Sequence, residues 1–214
     1  MFFLFISTDN IQKEIRMELI FATNNKHKLV EIQQLIGENI KIYSLDESGF
    51  KGEIPEEYET LEENASQKVW YIHKQLKRNC FADDTGLEVE ALGGGPGVYS
   101  ARYSRIGDSK YSDLDIVEGN ICKLLDNLKK TKNRQARFRT VIALVLDGKE
   151  YQFEGIVNGT ILKEKVGFEG FGYDPVFLPD GYSKSFAQMN LNEKNKISHR
   201  SLAIKKLAGF LKDL

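Results

Sequence analysis

Two rhythms of apolar positions alternate along the first part of this chain. Residues 18–23 (ELIFAT) form a short continuous apolar run, the pattern of a buried strand. Leu29, Ile32, Leu35 and Ile36 then recur at helical spacing over 26–36. Strand, tight turn and helix in that order open an α/β layer fold. IKIY at 40–43 predicts a second short strand. Thr60 and Glu63 have the spacing of a capping box, and Ala65, Val69, Ile72 and Leu76 mark one apolar face of a helix over 60–76. Asn64 and Lys68 lie four apart on a neighbouring face. CFADD at 80–84 predicts a short strand ending in two carboxylates. Leu114, Val117, Ile121, Leu124, Leu125 and Leu128 predict a helix over 112–128. ARFRTVIALVL (136–146), the turn DGK and EYQFEGIVNG (150–159) predict a hairpin. PVFLP (175–179) reads as another strand. A final helix spans Ser198 to Leu214, with Leu202, Ile204, Leu207, Phe210 and Leu211 mostly inward. Early alternation followed by a long hairpin predicts an α/β fold with a mixed sheet flanked by helices.

At 214 residues, with no repeat and no long linker, residues 17–214 are expected to form a single domain. Thirty Lys and Arg against 31 Asp and Glu leave a net charge of −1. No whole-protein field favours nucleic acid, so an anion site must be built locally. Cys80 and Cys122 make no metal-type pair; with no secretory signal they read as free thiols in a reducing compartment, and a cytoplasmic location is expected. MFFLFI at the start is too short for a membrane span and has no basic segment before it. Met17 stands directly before ELIFATNN. Residues 1–16 are therefore expected to be a dispensable extension, and no membrane partner is expected.

Three stretches carry candidate chemistry. In ATNNKHK (22–28) a strand hands over to a helix that Asn24 or Asn25 can cap. Lys26, His27 and Lys28 fill its first turn, where cations oppose the helix dipole by roughly 0.3–1 kcal/mol each. A bound anion would reverse that penalty; a capped helix with solvated lysines is the plain alternative. GxxxxGK[ST] is absent, so this is no Walker loop. In the second stretch, 81–104, Asp83 and Asp84 precede Thr85-Gly86. Such carboxylates can bind a hard cation or take a proton from water, or simply close the strand in a turn. In extended backbone they point to opposite faces, so only one is expected to face a site. The third stretch, 170–203, begins with Phe171, Tyr173 and Asp174 and ends with Lys194, His199 and Arg200. The last two would stand in the first turn of a helix capped by Ser198, again the unfavourable end for cations. Phe171 and Tyr173 serve equally well as core.

Six acids crowd 53–63 and six bases crowd 129–139. The basic run has little aromatic interleaving and reads as a solvated connection rather than a nucleic-acid surface. Most of the acidic run reads as a solvated approach to the helix, leaving one or two glutamates for chemistry.

The blocks ATNNKHKLVEI, ADDTGLEVEALGGGPGVYSARYS and FGYDPVF…EKNKISHR, in that order, resemble the inosine triphosphate pyrophosphatase family, the noncanonical purine NTP or dITP/XTP pyrophosphatases. The resemblance covers Met17 to Phe210. It implies an elongated fold whose two lobes flank a cleft, a homodimer, and Mg²⁺-dependent hydrolysis of ITP, dITP and XTP to monophosphate and pyrophosphate. It places triphosphate contacts on the Thr23–Lys28 turn, with Thr23, Asn25 and Lys28 matching the family pattern. Lys68 is the implied helix lysine. Glu56 is the implied metal glutamate, with Glu57 beside it, and Asp84 the implied metal ligand and proton acceptor. Thr85 replaces the usual Ser, and Gln188 a usual Glu. Phe171, Gly172, Tyr173, Asp174, Lys194, His199 and Arg200 fall on the remaining substrate-binding positions. Phe171 would offer a stacking face, and His199 and Arg200 donors to a 6-oxo group. A 6-amino group would leave such a donor unpaired, at roughly 1–3 kcal/mol. A Maf-type pyrophosphatase and a non-catalytic nucleotide- or RNA-binding module are the competing classes; the SHR block argues against the first, intact Glu56 and Asp84 against the second.

Overall fold

The structure is a computed structural model that describes residues 17–37, 39–107 and 110–214. The expectation for residues 1–16 lies outside these. Seven strands form one mixed sheet: β1 (Met17–Phe21), β2 (Ile40–Tyr43), β3 (Cys80–Val89), β4 (Pro96–Gly97), β5 (Gln135–Leu146), β6 (Lys149–Ile161) and β7 (Phe177–Pro179). The order is β2-β1-β3-β5-β6-β7, with β4 also on β3. β1 runs parallel to β2 and β3, and every other pairing is antiparallel.

Five helices accompany it among the described residues: α1 (Lys26–Leu35), α2 (Leu61–Leu76), α3 (Ile116–Asn127), α4 (Leu191–Ile197) and α5 (His199–Lys212). Alternation along the strands sorts the core. Phe81, Ile142 and Leu144 pack under α1 and α5, with Ile32, Ile204 and Leu207. Cys80, Ala82, Val141 and Ala143 face the other way, onto Ala65, Val69 and Ile72 of α2. Farther along the same strands Leu87, Val89 and Phe138 meet Ile121 and Leu124 of α3, together with Phe177 and Phe186. β5 and β6, at roughly 3.4 Å per residue, are long enough to serve both ends of the sheet. The result is the expected pair of lobes on one mixed sheet.

Local differences from the sequence reading have local causes. α3 begins only at Ile116, because the Asp115 carboxylate accepts from the N–H groups of Val117 and Glu118 and caps it there. Leu114 consequently lies outside the helix and is exposed. β3 continues past the two aspartates to Val89, because β5 pairs with it residue by residue from Cys80 onward. Of PVFLP, Pro175 and Val176 lie in a 3₁₀ turn and only Phe177–Pro179 pairs as strand. The short α4 has no long apolar stripe, yet Asn190 and Glu193 form a reciprocal capping box. Gln188 likewise caps Ser185, accepting its backbone N–H at 3.0 Å, so the neutral amide suffices there. Gly155 lets α5 press onto β6: a Cβ at that position would stand 2.0 Å from the His199 carbonyl oxygen and 2.6 Å from the Ala203 nitrogen.

Candidate active site

The cleft between the lobes opens where β3 loses a neighbour. β1 pairs with it only at Cys80 and Phe81, and β4 only at Leu87 and Glu88. Between those points the edge of β3 faces a cavity of about 630 Å³, at the C-terminal end of β1. Ligands in open α/β sheets collect at such strand ends. All but one of the residues to which the resemblance gives a catalytic, metal-binding or substrate-binding role line this cavity. The exception is Lys26, whose exposed side chain stands outside the lining.

Asp83 and Asp84 both line it, which corrects the expectation that only one would. Their side chains do point to opposite faces, but an open strand edge lets the cavity wrap around both.

On the α1–α5 face, Asp83 accepts from Lys28 Nζ at 2.9 Å and from Arg200 Nε at 3.3 Å. Thr85 Oγ1 donates at 3.1 Å to Oδ2, the oxygen Arg200 also contacts, and meets Thr140 Oγ1 at 2.7 Å. Burial alone would raise the Asp83 pKa most, but Lys28, Arg200 and Lys68 together outweigh it and hold the group well below the usual carboxylate range. Lys28 is held in place by its helix: Asn25, not Asn24, is the cap, its Oδ1 accepting from His27 and Lys28. Arg200 sits in the first turn of α5 and is 1 % exposed. It also bonds Glu31, a buried α1 carboxylate that accepts from Lys194 Nζ at 3.1 Å. Glu31 was not among the sequence candidates. Its only signal was a charged residue flanked by the apolar positions of the α1 stripe. It changes the reading of the helix-end cations: Lys28 and Arg200 are neutralised inside the fold by Asp83 and Glu31, so they do not by themselves demand a ligand.

On the α2 face, Lys68 Nζ donates to Asp84 Oδ1 and Glu56 Oε1, both at 2.7 Å. Burial pushes the Asp84 pKa up, only partly countered by Lys68. Glu56 stays below its usual value; burial opposes this, but Lys68 and then Lys28 prevail. Glu57 turns away, accepting from Gln67 Nε2 at 2.8 Å. Arg102, from the opposite lobe, comes within 3.4 Å of the second Glu56 oxygen. No cluster of three or more His, Cys, Asp and Glu side chains forms a metal site among the described residues. Glu56 and Asp84 are nevertheless hard oxygen donors flanking one lysine. That suits Mg²⁺, which takes one or two carboxylates and fills its shell with water and phosphate oxygens.

At the far end, the Phe171 N–H donates to Asp174 Oδ2 at 2.8 Å, and Lys194 donates to the same oxygen at 2.8 Å. Phe171 is already stacked by exposed His27, 5.2 Å between ring centroids, and Lys194 lies 4.8 Å from its centre. Tyr173 belongs to the core, its hydroxyl donating to the Ser100 carbonyl at 3.0 Å. His199 stacks on Phe138 at 4.5 Å, and its buried Nδ1 has no hydrogen-bond partner. Burial, then the Arg200 charge, drives its pKa well below the ordinary imidazole value. His199 thus lines the cavity as an imidazole that disfavours its proton, with one buried nitrogen unpartnered.

A Ham1 family model matches residues 19–210. The chain belongs to the Ham1 family. A dITP/XTP pyrophosphatase of Christiangramia forsetii is 50 % identical over 195 residues, covering 91 % of this chain and 99 % of its own. A second, from Flavobacterium psychrophilum, is 49 % identical over 197 residues, covering 92 % of this chain and all of the relative. The solved Staphylococcus aureus Ham1 protein superposes with a TM-score of 0.80 at 38 % identity, covering 92 % of this chain and 98 % of the other. The Staphylococcus aureus protein thus shares the fold of this chain over nearly its whole length.

Proposed function

We propose that the cleft hydrolyses noncanonical purine nucleoside triphosphates (ITP, dITP and XTP) to monophosphate and pyrophosphate, with Mg²⁺, in a cytoplasmic homodimer. The observation that carries the reading is the pair of opposed environments at Asp83 and Asp84, reached from one cavity and flanked by Lys28 and Lys68. The names of the two bacterial relatives point to the same substrates.

Charge explains the need for a metal. Lys28, Lys68, Lys194 and Arg200 line the cavity beside Glu53, Glu56, Asp83, Asp84 and Asp174. The wall has no surplus of positive charge, while a triphosphate brings about four negative charges. Glu56 and Asp84 would hold Mg²⁺, which when bound screens the phosphate oxygens and the leaving pyrophosphate. Asp84, with its proton affinity raised by burial, accepts a proton from water as the water oxygen attacks the α-phosphorus. The bond from that phosphorus to the bridging oxygen breaks, and pyrophosphate departs past Lys28 and Lys68. The turn at Thr23–Asn25 supplies further phosphate contacts. Toward the base, neutral His199 and the remaining N–H groups of Arg200 offer partners to a 6-oxo group, and His27 must leave Phe171 if a base is to stack there. Leu114 and Ile116, both about 40 % exposed beside the start of α3, support a surface for a second copy.

A nucleotide panel with Mg²⁺ tests the activity. ITP should give IMP and pyrophosphate, with much slower turnover of ATP and GTP. Release of single phosphates, or equal rates on ATP and ITP, would overturn the assignment. Sedimentation of the purified chain tests the dimer.

A further inference from the structure

We propose that Asn64 of α2 is a positioning residue that holds Glu56 in the metal-binding arrangement. This rests on the reading of Glu56 given above. Glu56 lies in a segment, 51–60, that forms no helix or strand. Its carboxylate is 36 % exposed, so packing alone does not fix it. Asn64 does so from the helix. Its Oδ1 accepts the Tyr58 N–H at 2.9 Å and its Nδ2 donates to the Tyr58 carbonyl at 3.0 Å. One side chain thus grips both backbone groups of a residue two places beyond Glu56, much as a neighbouring strand would.

The rest of the helix face completes the grip. Lys68, one turn after Asn64, draws in Glu56 at 2.7 Å. Gln67 takes the Glu57 N–H at 3.0 Å and returns a bond to the Glu57 carboxylate, turning that neighbour outward. The choice between two adjacent glutamates is therefore made by α2. Asn is a poor residue for a helix interior, and at 1 % exposure an apolar side chain would fill the place at less cost to the helix. Its polar groups are satisfied by the loop, so the loop is the reason for having them.

The test uses the full chain, with Asn64→Ala, Glu56→Gln and the double variant. Three quantities are measured: Mg²⁺ activation of ITP hydrolysis, Mn²⁺ binding by electron paramagnetic resonance in the presence of an α,β-imido ITP analogue, and amide exchange of the 53–60 peptide. Asn64→Ala should weaken Mn²⁺ binding and raise the half-activating Mg²⁺ concentration about tenfold, the usual scale for groups that orient a ligand. Exchange at 53–60 should quicken, and metal-free binding of the analogue should stay unchanged. In the Glu56→Gln background, adding Asn64→Ala should change Mn²⁺ binding less than about twofold, because the coupled partner is already gone. An equal loss in both backgrounds would show that Asn64 acts on the fold at large and overturn the inference. So would normal metal binding in Asn64→Ala beside impaired binding in Glu56→Gln, with the role of Glu56 intact. Unimpaired metal binding in Glu56→Gln would instead remove that role, and the inference with it. If Asn64→Ala does not fold, Asn64→Ser, which keeps one hydrogen-bonding group, is read by the same criteria.

Discussion

Asp83 and Asp84 are adjacent in the chain and opposite in chemistry. Asp83 is the shared partner of Lys28 and Arg200, with a fully buried side chain. Asp83→Asn is therefore expected to act first on the fold, by about 3 kcal/mol, the scale of breaking a buried ion pair from one side. Urea unfolding would show it. Asp84→Asn should leave stability nearer wild type and lower kcat by about 10²–10⁴-fold, the usual contribution of a general base, with a further loss from the metal site. ITP binding should survive in large part, since Lys28, His199 and Arg200 remain. A stable but dead Asp83 variant beside an active Asp84 variant would reverse the two roles. His199 carries a second expectation at this scale. Its folded pKa lies far below 6.5, so on acidification through 6.5 the unfolded chain takes up a proton that the folded one refuses. Stability is then lost as pH falls, by up to about 1.4 kcal/mol per unit. His199→Gln should flatten the stability profile between pH 7 and 5; an unchanged slope would mean that other groups set it.

At the scale of elements, the close approach of α5 to β6 determines where His199 and Arg200 stand. A methyl group at Gly155 would overlap the backbone at both His199 and Ala203. Backbone cannot yield as a flexible side chain can, so the helix must shift. Gly155→Ala is expected to cost about 1–3 kcal/mol, the range for overpacking, and to lower kcat/KM although it touches no substrate. Thermal unfolding and ITP kinetics on the same preparation would check this; wild-type kinetics in a destabilised variant would separate helix placement from the site. Most elements were legible because periodicity and caps are local. Thr60 caps α2 as read, accepting the Glu63 N–H. The start of α3 at Ile116 is not legible in the same way, because the apolar positions of 112–128 continue past the Asp115 cap without a break in period.

For the whole molecule, the two lobes meet along β3, β5 and β6, and the described sheet begins at Met17. Among the described residues, the cavity draws on none before Ala22. Relatives whose full length corresponds to about nine tenths of this chain fit the same limit. A chain starting at Met17 is expected to be soluble and to hydrolyse ITP at the full rate. Loss of folding in that variant would assign residues 1–16 a place in the core.

The order of most strands and helices, the capped turn at 23–28, the paired aspartates and the SHR cap of α5 could all be read in the chain, because each is a pattern over a few neighbouring residues. Contacts between distant segments decided the rest. Glu31 meets Lys194 and Arg200 across 163 and 169 positions, and no spacing rule connects them. That both aspartates reach the cleft follows from where β1 and β4 stop pairing with β3, which is a property of three strands together. That Glu56 turns toward Lys68 and Glu57 toward Gln67 depends on a helix that packs against the sheet. Local steric and hydrogen-bonding preferences are written residue by residue; a shared charge, an open strand edge and a gripped loop exist only once the sheet has brought its two lobes together.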